Sequence, residues 1–176
     1  MLLDVPRMAE APKIDGLLDE NIWQKAATFD TLYVNVSERI LVTRPSPVQT
    51  KIYLGYTPDA LYMGAYCDDT QPQELVIESL GSGDHPRSDQ VEFCFDGNLD
   101  HSTFGQVVIN STGATAEGWW TRTPMRRFDG SWEPVVETAA FVGEDFWSVE
   151  CRIPNGQQGF PKVRPGDIWG FNFVRL

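Results

Sequence analysis

The chain has 176 residues, 41% of them hydrophobic, with 14 Lys and Arg against 25 Asp and Glu for a formal net charge of −11. That length suits one domain, residues 1–176, and the ten Phe, six Trp and five Tyr are too many for a disordered chain. The acidic balance argues against nucleic acid and anionic membranes as partners, since both need a basic surface to neutralise phosphate.

The amino end, MLLDVPRMAEAPKIDG, lacks a basic segment followed by an apolar core and does not read as a signal peptide. No apolar run approaches the roughly 20 residues of a membrane span, so no membrane insertion is expected. Asp19 precedes the run ENIWQKAAT, in which Ile22, Trp23 and Ala26 share a helical face. This predicts a turn or two of helix with Asp19 as its cap.

Beyond that point the period is two. TKIYLGY (50–56) sets Ile52, Leu54 and Tyr56 on one side, and LYMGAYC (61–67) returns after the turn Thr57-Pro58-Asp59, which predicts a hairpin. VEFCFD (91–96), QVVIN (106–110), EPVVETAAF (133–141), FWSVECRI (146–153) and DIWGFNF (167–173) complete the strands. Pro134 belongs at a strand beginning or an edge, because it cannot donate to a ladder. Short strands at this spacing, separated by turns such as Asp96-Gly97-Asn98 and Ser111-Thr112-Gly113, predict an all-β antiparallel β-sandwich of jelly-roll or immunoglobulin-like type, with a short N-terminal helical turn.

One face of these strands is apolar: Val91, Phe93, Phe95, Val107, Ile109, Val149, Cys151, Ile153, Trp169, Phe171 and Phe173. They form the predicted core. The other face carries Glu92, Gln106, Asn110, Glu150, Arg152 and Asn172, either as ordinary solvated sheet or as one polar surface suited to a ligand's hydroxyl groups. Cys67, Cys94 and Cys151 are odd in number and lie in separate strands, so free thiols are expected. No Ser-His-Asp signature, phosphate-cradling glycine loop or zinc motif is present, and nothing marks a pair of carboxylates for glycoside hydrolysis.

Four patterns in order resemble the family 9 carbohydrate-binding modules. They are Ile14-Asp15-Gly16 followed by Trp23; Ala60 to Ala65 leading to Asp68-Asp69; Asp89-Gln90-Val91-Glu92-Phe93 ending at Asp96; and Trp147-Ser148-Val149-Glu150 with Ile153-Pro154, then Gly166 to Phe173. Two features depart from that family: the loop SLGSGDHPRS (79–88) has no aromatic residue, and Val108 stands where an Arg is frequent. The family's final strands are expected beyond Leu176.

The resemblance implies a non-catalytic module that binds an oligo- or polysaccharide and is covalently linked to a catalytic domain, a glycoside hydrolase or a related protein, outside the cell, in the periplasm or at the cell surface. Trp119 and Trp120, between a turn-rich stretch and a polar one, are the candidate stacking platform at a loop rim. Glu92, Asn172, Gln106 and Asp89 are the candidate polar groups, with Asp89 also suited to holding loop N–H groups. Trp23, Trp147 and Trp169 are expected in the core. No cofactor is expected except a structural calcium ion, for which Asp68 and Asp69 offer oxygen ligands. Two other readings stay open. One is a haem-binding redox sandwich drawing axial ligands from Met63, His85, His101 or Met125, and the other is an interaction domain without a small ligand.

Overall fold

The computed structural model describes residues 2–35, 43–77, 88–122, 124–157 and 159–176. Its strands, in chain order, are β1 (Ala27–Phe29), β2 (Tyr33–Asn35), β3 (Thr43–Pro45), β4 (Thr50–Tyr56), β5 (Ala60–Asp68) and β6 (Gln90–Asp96). They continue with β7 (Thr103–Asn110), β8 (Thr115–Thr121), β9 (Arg127–Asp129), β10 (Glu137–Val142), β11 (Phe146–Pro154) and β12 (Gly170–Arg175). A first sheet has the order β1-β4-β5-β11-β10 and a second the order β12-β6-β7-β8-β9, while β2 and β3 form a separate hairpin. Every pairing between these strands is antiparallel. The expected all-β sandwich is the fold.

The core follows from strand alternation. Ile52, Met63, Ala65, Val149 and Cys151 of the first sheet face Val91, Phe93, Val107 and Ile109 of the second, and all are fully buried. Phe93 packs edge-on against Phe173, and Phe171 lies against Phe93 and Phe95 while remaining half-buried. The predicted hairpin forms with Tyr56 opposite Leu61, its turn closed by a Thr57 N–H bond to the Ala60 carbonyl. All three cysteines are free, and burial pushes the Cys67 and Cys94 thiols up to about 12.

Three expectations need correction. The predicted helix is a single 3-10 turn, Trp23–Lys25, and its cap position is Ile22 rather than Asp19. It stops there because Ala27–Phe29 pair with Leu54–Ile52 as an edge strand, which forces extended backbone. The strands expected at 133–141 and 167–173 begin only at Glu137 and Gly170, leaving Pro134 and Trp169 outside them. Residues 115–121, expected as turn and rim, are a seven-residue strand held by pairing to β7.

The N-terminal segment lies on the outer face of the first sheet, and one carboxylate holds it. Glu150 is fully buried; one oxygen accepts the Asp15 and Gly16 backbone N–H groups at 2.8 Å each, and the other accepts Trp23 Nε1–H at 2.7 Å. Ser148 Oγ donates to the Gly16 carbonyl at 2.6 Å. The Ile-Asp-Gly…Trp pattern is thus an anchor to β11. Gly16 has φ +89°, and a Cβ there would collide with the Ala140 carbonyl group, so both conformation and space demand glycine.

Burial outweighs these donors and pushes the Glu150 carboxyl from 4.5 up to about 7. Because the folded state favours its protonated form, the stability this group contributes is complete below pH 4.5 and is lost as pH rises through 7. In urea titrations, wild type should therefore lose up to about 3 kcal/mol relative to Glu150→Gln over that window, at about 1.4 kcal/mol per pKa unit; a constant difference would refute it. Gly16→Ala should destabilise by more than about 1 kcal/mol.

Candidate functional site

Asp89, just before β6, and Asp96, at its end, each accept backbone N–H groups. Asp89 Oδ2 accepts the Val76 N–H at 2.7 Å. Asp96 accepts the Asp100 and His101 N–H groups, where the β6–β7 turn carries Leu99 and His101 at positive φ. Asp100 in turn accepts the Ser102 and Thr103 N–H groups, which hold its carboxyl down at about 2. Asp89 therefore has the loop-holding role.

Glu92, between them, points outward from the second sheet. Pairing puts Asn172, Cys94, Gln106 and Gly118 in one row across β12, β6, β7 and β8, and Val174, Glu92, Val108 and Ala116 in the next. Glu92 and Gln106 are each 6% exposed, and exposure rises from the buried Gln90 and Asn110 to the half-buried Trp120 and the exposed Asn172. A hydrogen-bonded chain runs along this face. Trp120 Nε1 donates to Gln106 Oε1 at 2.5 Å, Gln106 Nε2 to Glu92 Oε2 at 2.7 Å, and Gln90 Nε2 to Glu92 Oε1 at 3.3 Å.

The face is bordered by an aromatic row. Phe104, Trp120 and Phe128 are opposite one another on β7, β8 and β9. Trp120 lies parallel to Phe104 at 6.1 Å between centroids, and Phe128 approaches Trp120 to 4.8 Å. Phe128 leans across β8 because position 118 is glycine; a Cβ there would overlap its ring. Arg126 Cζ stands 4.3 Å from the centre of the Trp120 ring, and Arg122 Cζ 5.7 Å from that of Phe104. Phe104, Phe128 and Gln90 escaped the sequence reading, because only the cross-strand register aligns them with Trp120 and Glu92.

The structure thus joins Trp120, Gln106 and Glu92 by hydrogen bonds and places Asn172 on the same outer face, on the neighbouring strand β12, and it separates others from them. Trp119 shares the inward parity of Gly105 and packs on Trp132, so it props the sheet from inside rather than forming a surface platform. The adjacent pair is split by alternation, since both residues belong to a strand and not to a loop rim. Glu150 and Arg152, expected on the same polar face, belong to the first sheet.

Asp69 Oδ2 faces Arg175 Nη2 at 3.6 Å while Oδ1 accepts the Gln71 N–H; Asp68 is exposed. Among the described residues, no three His, Cys, Asp or Glu side chains gather to hold a metal ion. Met63 is buried in the core, His101 and Met125 are exposed on separate turns, and His85, with most of the 79–88 loop, lies outside the described residues. A cavity of about 1090 Å³ runs along the free edge of β12, lined by Phe29, Leu32, Phe95 and Trp169 and also by Asp89 and Arg175. Asn172 is at its margin. The hydrogen-bonded chain beside Trp120 places amide and carboxylate groups next to aromatic rings, which suits a polyhydroxylated ligand.

A two-sheet antiparallel sandwich with a polar, aromatic-bordered outer face is the class of fold that defines this chain. No family model matches it, and no curated protein does. Solved structures do. A family 9 carbohydrate-binding module from Caldicellulosiruptor kristjanssonii in complex with cellotriose is 22% identical with a TM-score of 0.64, over 96% of this chain and 74% of that one. The structure of a family 9 module from the same organism with glucose is 20% identical with a TM-score of 0.63, over 96% and 75%. A candidate carbohydrate-binding protein from Bacteroides uniformis is 16% identical with a TM-score of 0.62, over 97% and 81%. At these identities the likeness is one of fold.

The opposite facing of the two tryptophans has a measurable consequence. Trp119→Ala should lower thermal stability more than Trp120→Ala, because it removes an interior ring, a change that typically costs about 3–5 kcal/mol when burial is complete. Equal or reversed losses would contradict the assigned parity.

Proposed function

We propose that this domain binds carbohydrate without catalysing its breakdown, using the outer face of the second sheet. The observation that carries the reading is the hydrogen-bonded chain Trp120–Gln106–Glu92, bordered by the Phe104–Trp120–Phe128 row. A pyranose offers apolar C–H faces and a rim of hydroxyl groups, and this surface offers rings beside amide and carboxylate groups. The solved modules of the same fold, one with cellotriose and one with glucose, add to that reading.

Binding without catalysis is favoured because glycoside hydrolysis needs two free carboxyl groups about 5–10 Å apart. On this face Asp96 is taken up by turn N–H groups and Glu92 by the Gln90 and Gln106 amides. In the role proposed, the domain holds an attached polysaccharide-processing enzyme close to its substrate outside the cell, raising the effective concentration there.

A glycan array identifies the ligand, and titration calorimetry on Trp120→Ala, Glu92→Gln and Asn172→Ala tests the site, with circular dichroism confirming the fold. Trp120→Ala should weaken binding by about 1–3 kcal/mol, the scale of one large apolar side chain. A glycan bound with wild-type affinity by all three variants would place the site elsewhere. A protein that binds none is an interaction domain.

A further inference from the structure

We infer that the glycan this face prefers is anionic, carrying carboxylate or sulfate groups that Arg122 and Arg126 receive; the inference rests on the carbohydrate reading above. The chain as a whole is acidic, yet residues 118–128 (GWWTRTPMRRF) hold three Arg and no Asp or Glu. This segment includes the outer ring of the candidate site. A local reversal of charge at that place sets a rim of cations against an otherwise acidic surface.

The two guanidinium groups are placed for an incoming anion. Both residues are exposed, and neither has an ion-pair partner among the described residues, whereas Arg152 faces Glu137 and Arg175 faces Asp69. Arg126 lies 4.3 Å from the centre of the Trp120 ring and Arg122 5.7 Å from that of Phe104. A guanidinium resting on an aromatic ring keeps its N–H edge open, in the fork geometry that matches a carboxylate or sulfate.

The same contact bears on neutral sugars. Arg126 covers one side of the Trp120 ring, so an uncharged pyranose stacking there has to displace it, while an acidic sugar is held by it. Glu92 is 6% exposed and its oxygens accept the Gln90 and Gln106 amides, so it lies at the floor, while Asp129, next to Phe128, accepts the Ser131 N–H and hydroxyl. The Arg122 charge reaches that floor, where it opposes the upward push of burial on the Cys94 thiol.

Calorimetry with the whole chain compares three probes: neutral cello-oligosaccharides, oligogalacturonides, and a sulfated galactan oligosaccharide with its desulfated form. At least one anionic probe should bind on the order of tenfold tighter than the neutral ones, with affinity falling as salt shortens the screening length. Arg122→Gln/Arg126→Gln should remove that preference and Arg126→Lys should restore part of it. The galacturonide and sulfate arms separate carboxylate from sulfate ester, and either result supports the inference. Equal affinity for neutral and anionic probes, unchanged in the double variant, overturns it and leaves the carbohydrate reading intact. Anionic binding unaffected by Trp120→Ala also overturns it, as charge attraction away from this face. Failure of every glycan to bind overturns both.

Discussion

Extended backbone sends successive side chains to opposite sides, and in a two-layer sandwich that leaves each strand one inward and one outward row. The consequence is strict along β6. Val91, Phe93 and Phe95 enter the core, so Gln90, Glu92 and Cys94 must point out. Along β8 the same rule parts two adjacent tryptophans. Trp119 meets Trp132 inside and Trp120 meets Gln106 outside, and no loop conformation intervenes to let both reach one ligand.

Which outer face can work as a binding surface depends on what the N-terminal segment covers. Met8 packs against Gly55 and Leu18 against Gly64, both close enough that a side chain in place of either glycine would displace them. Glu150 gathers the Asp15, Gly16 and Trp23 donors over the same sheet. These three donors offset part of the cost of burying the carboxyl group, which burial still pushes up to about 7. The outer face of the first sheet is in this way largely a second layer of packing, with Trp23 and Tyr62 buried beneath the segment.

Much of this architecture was legible because alternation is a strong signal where apolar residues recur every second position. Val91-Phe93-Phe95 and Ile52-Leu54 announced their strands, and Thr57-Pro58-Asp59 announced the turn between β4 and β5. Residues 115–121 did not, because Thr, Ala, Glu and Gly form no such pattern and the strand exists through its pairing with β7. Parity also shows only which side of its own strand a residue takes. It placed Glu92 and Glu150 alike on polar sides, and only the topology assigns them to different sheets. The acidic motif was visible, but the roles of its ends were not: Asp89 and Asp96 serve backbone N–H groups that no sequence pattern displays.

Gln106 gives the candidate site its polarity. An indole N–H can only donate, so the amide beside it has one consistent orientation, oxygen toward Trp120 and nitrogen toward Glu92. The floor of the face is therefore built of acceptor atoms, the Glu92 oxygens and the Gln106 oxygen. The rim is rich in donors, the guanidinium groups of Arg122 and Arg126. A sugar hydroxyl group satisfies an acceptor floor by donating inward, and a carboxylate or sulfate satisfies a donor rim by accepting outward. On the proposed reading, one acidic sugar answers both demands at once, with its hydroxyl groups toward Glu92 and its charge toward the arginines. A neutral sugar answers the first alone and has to compete with Arg126 for the Trp120 ring.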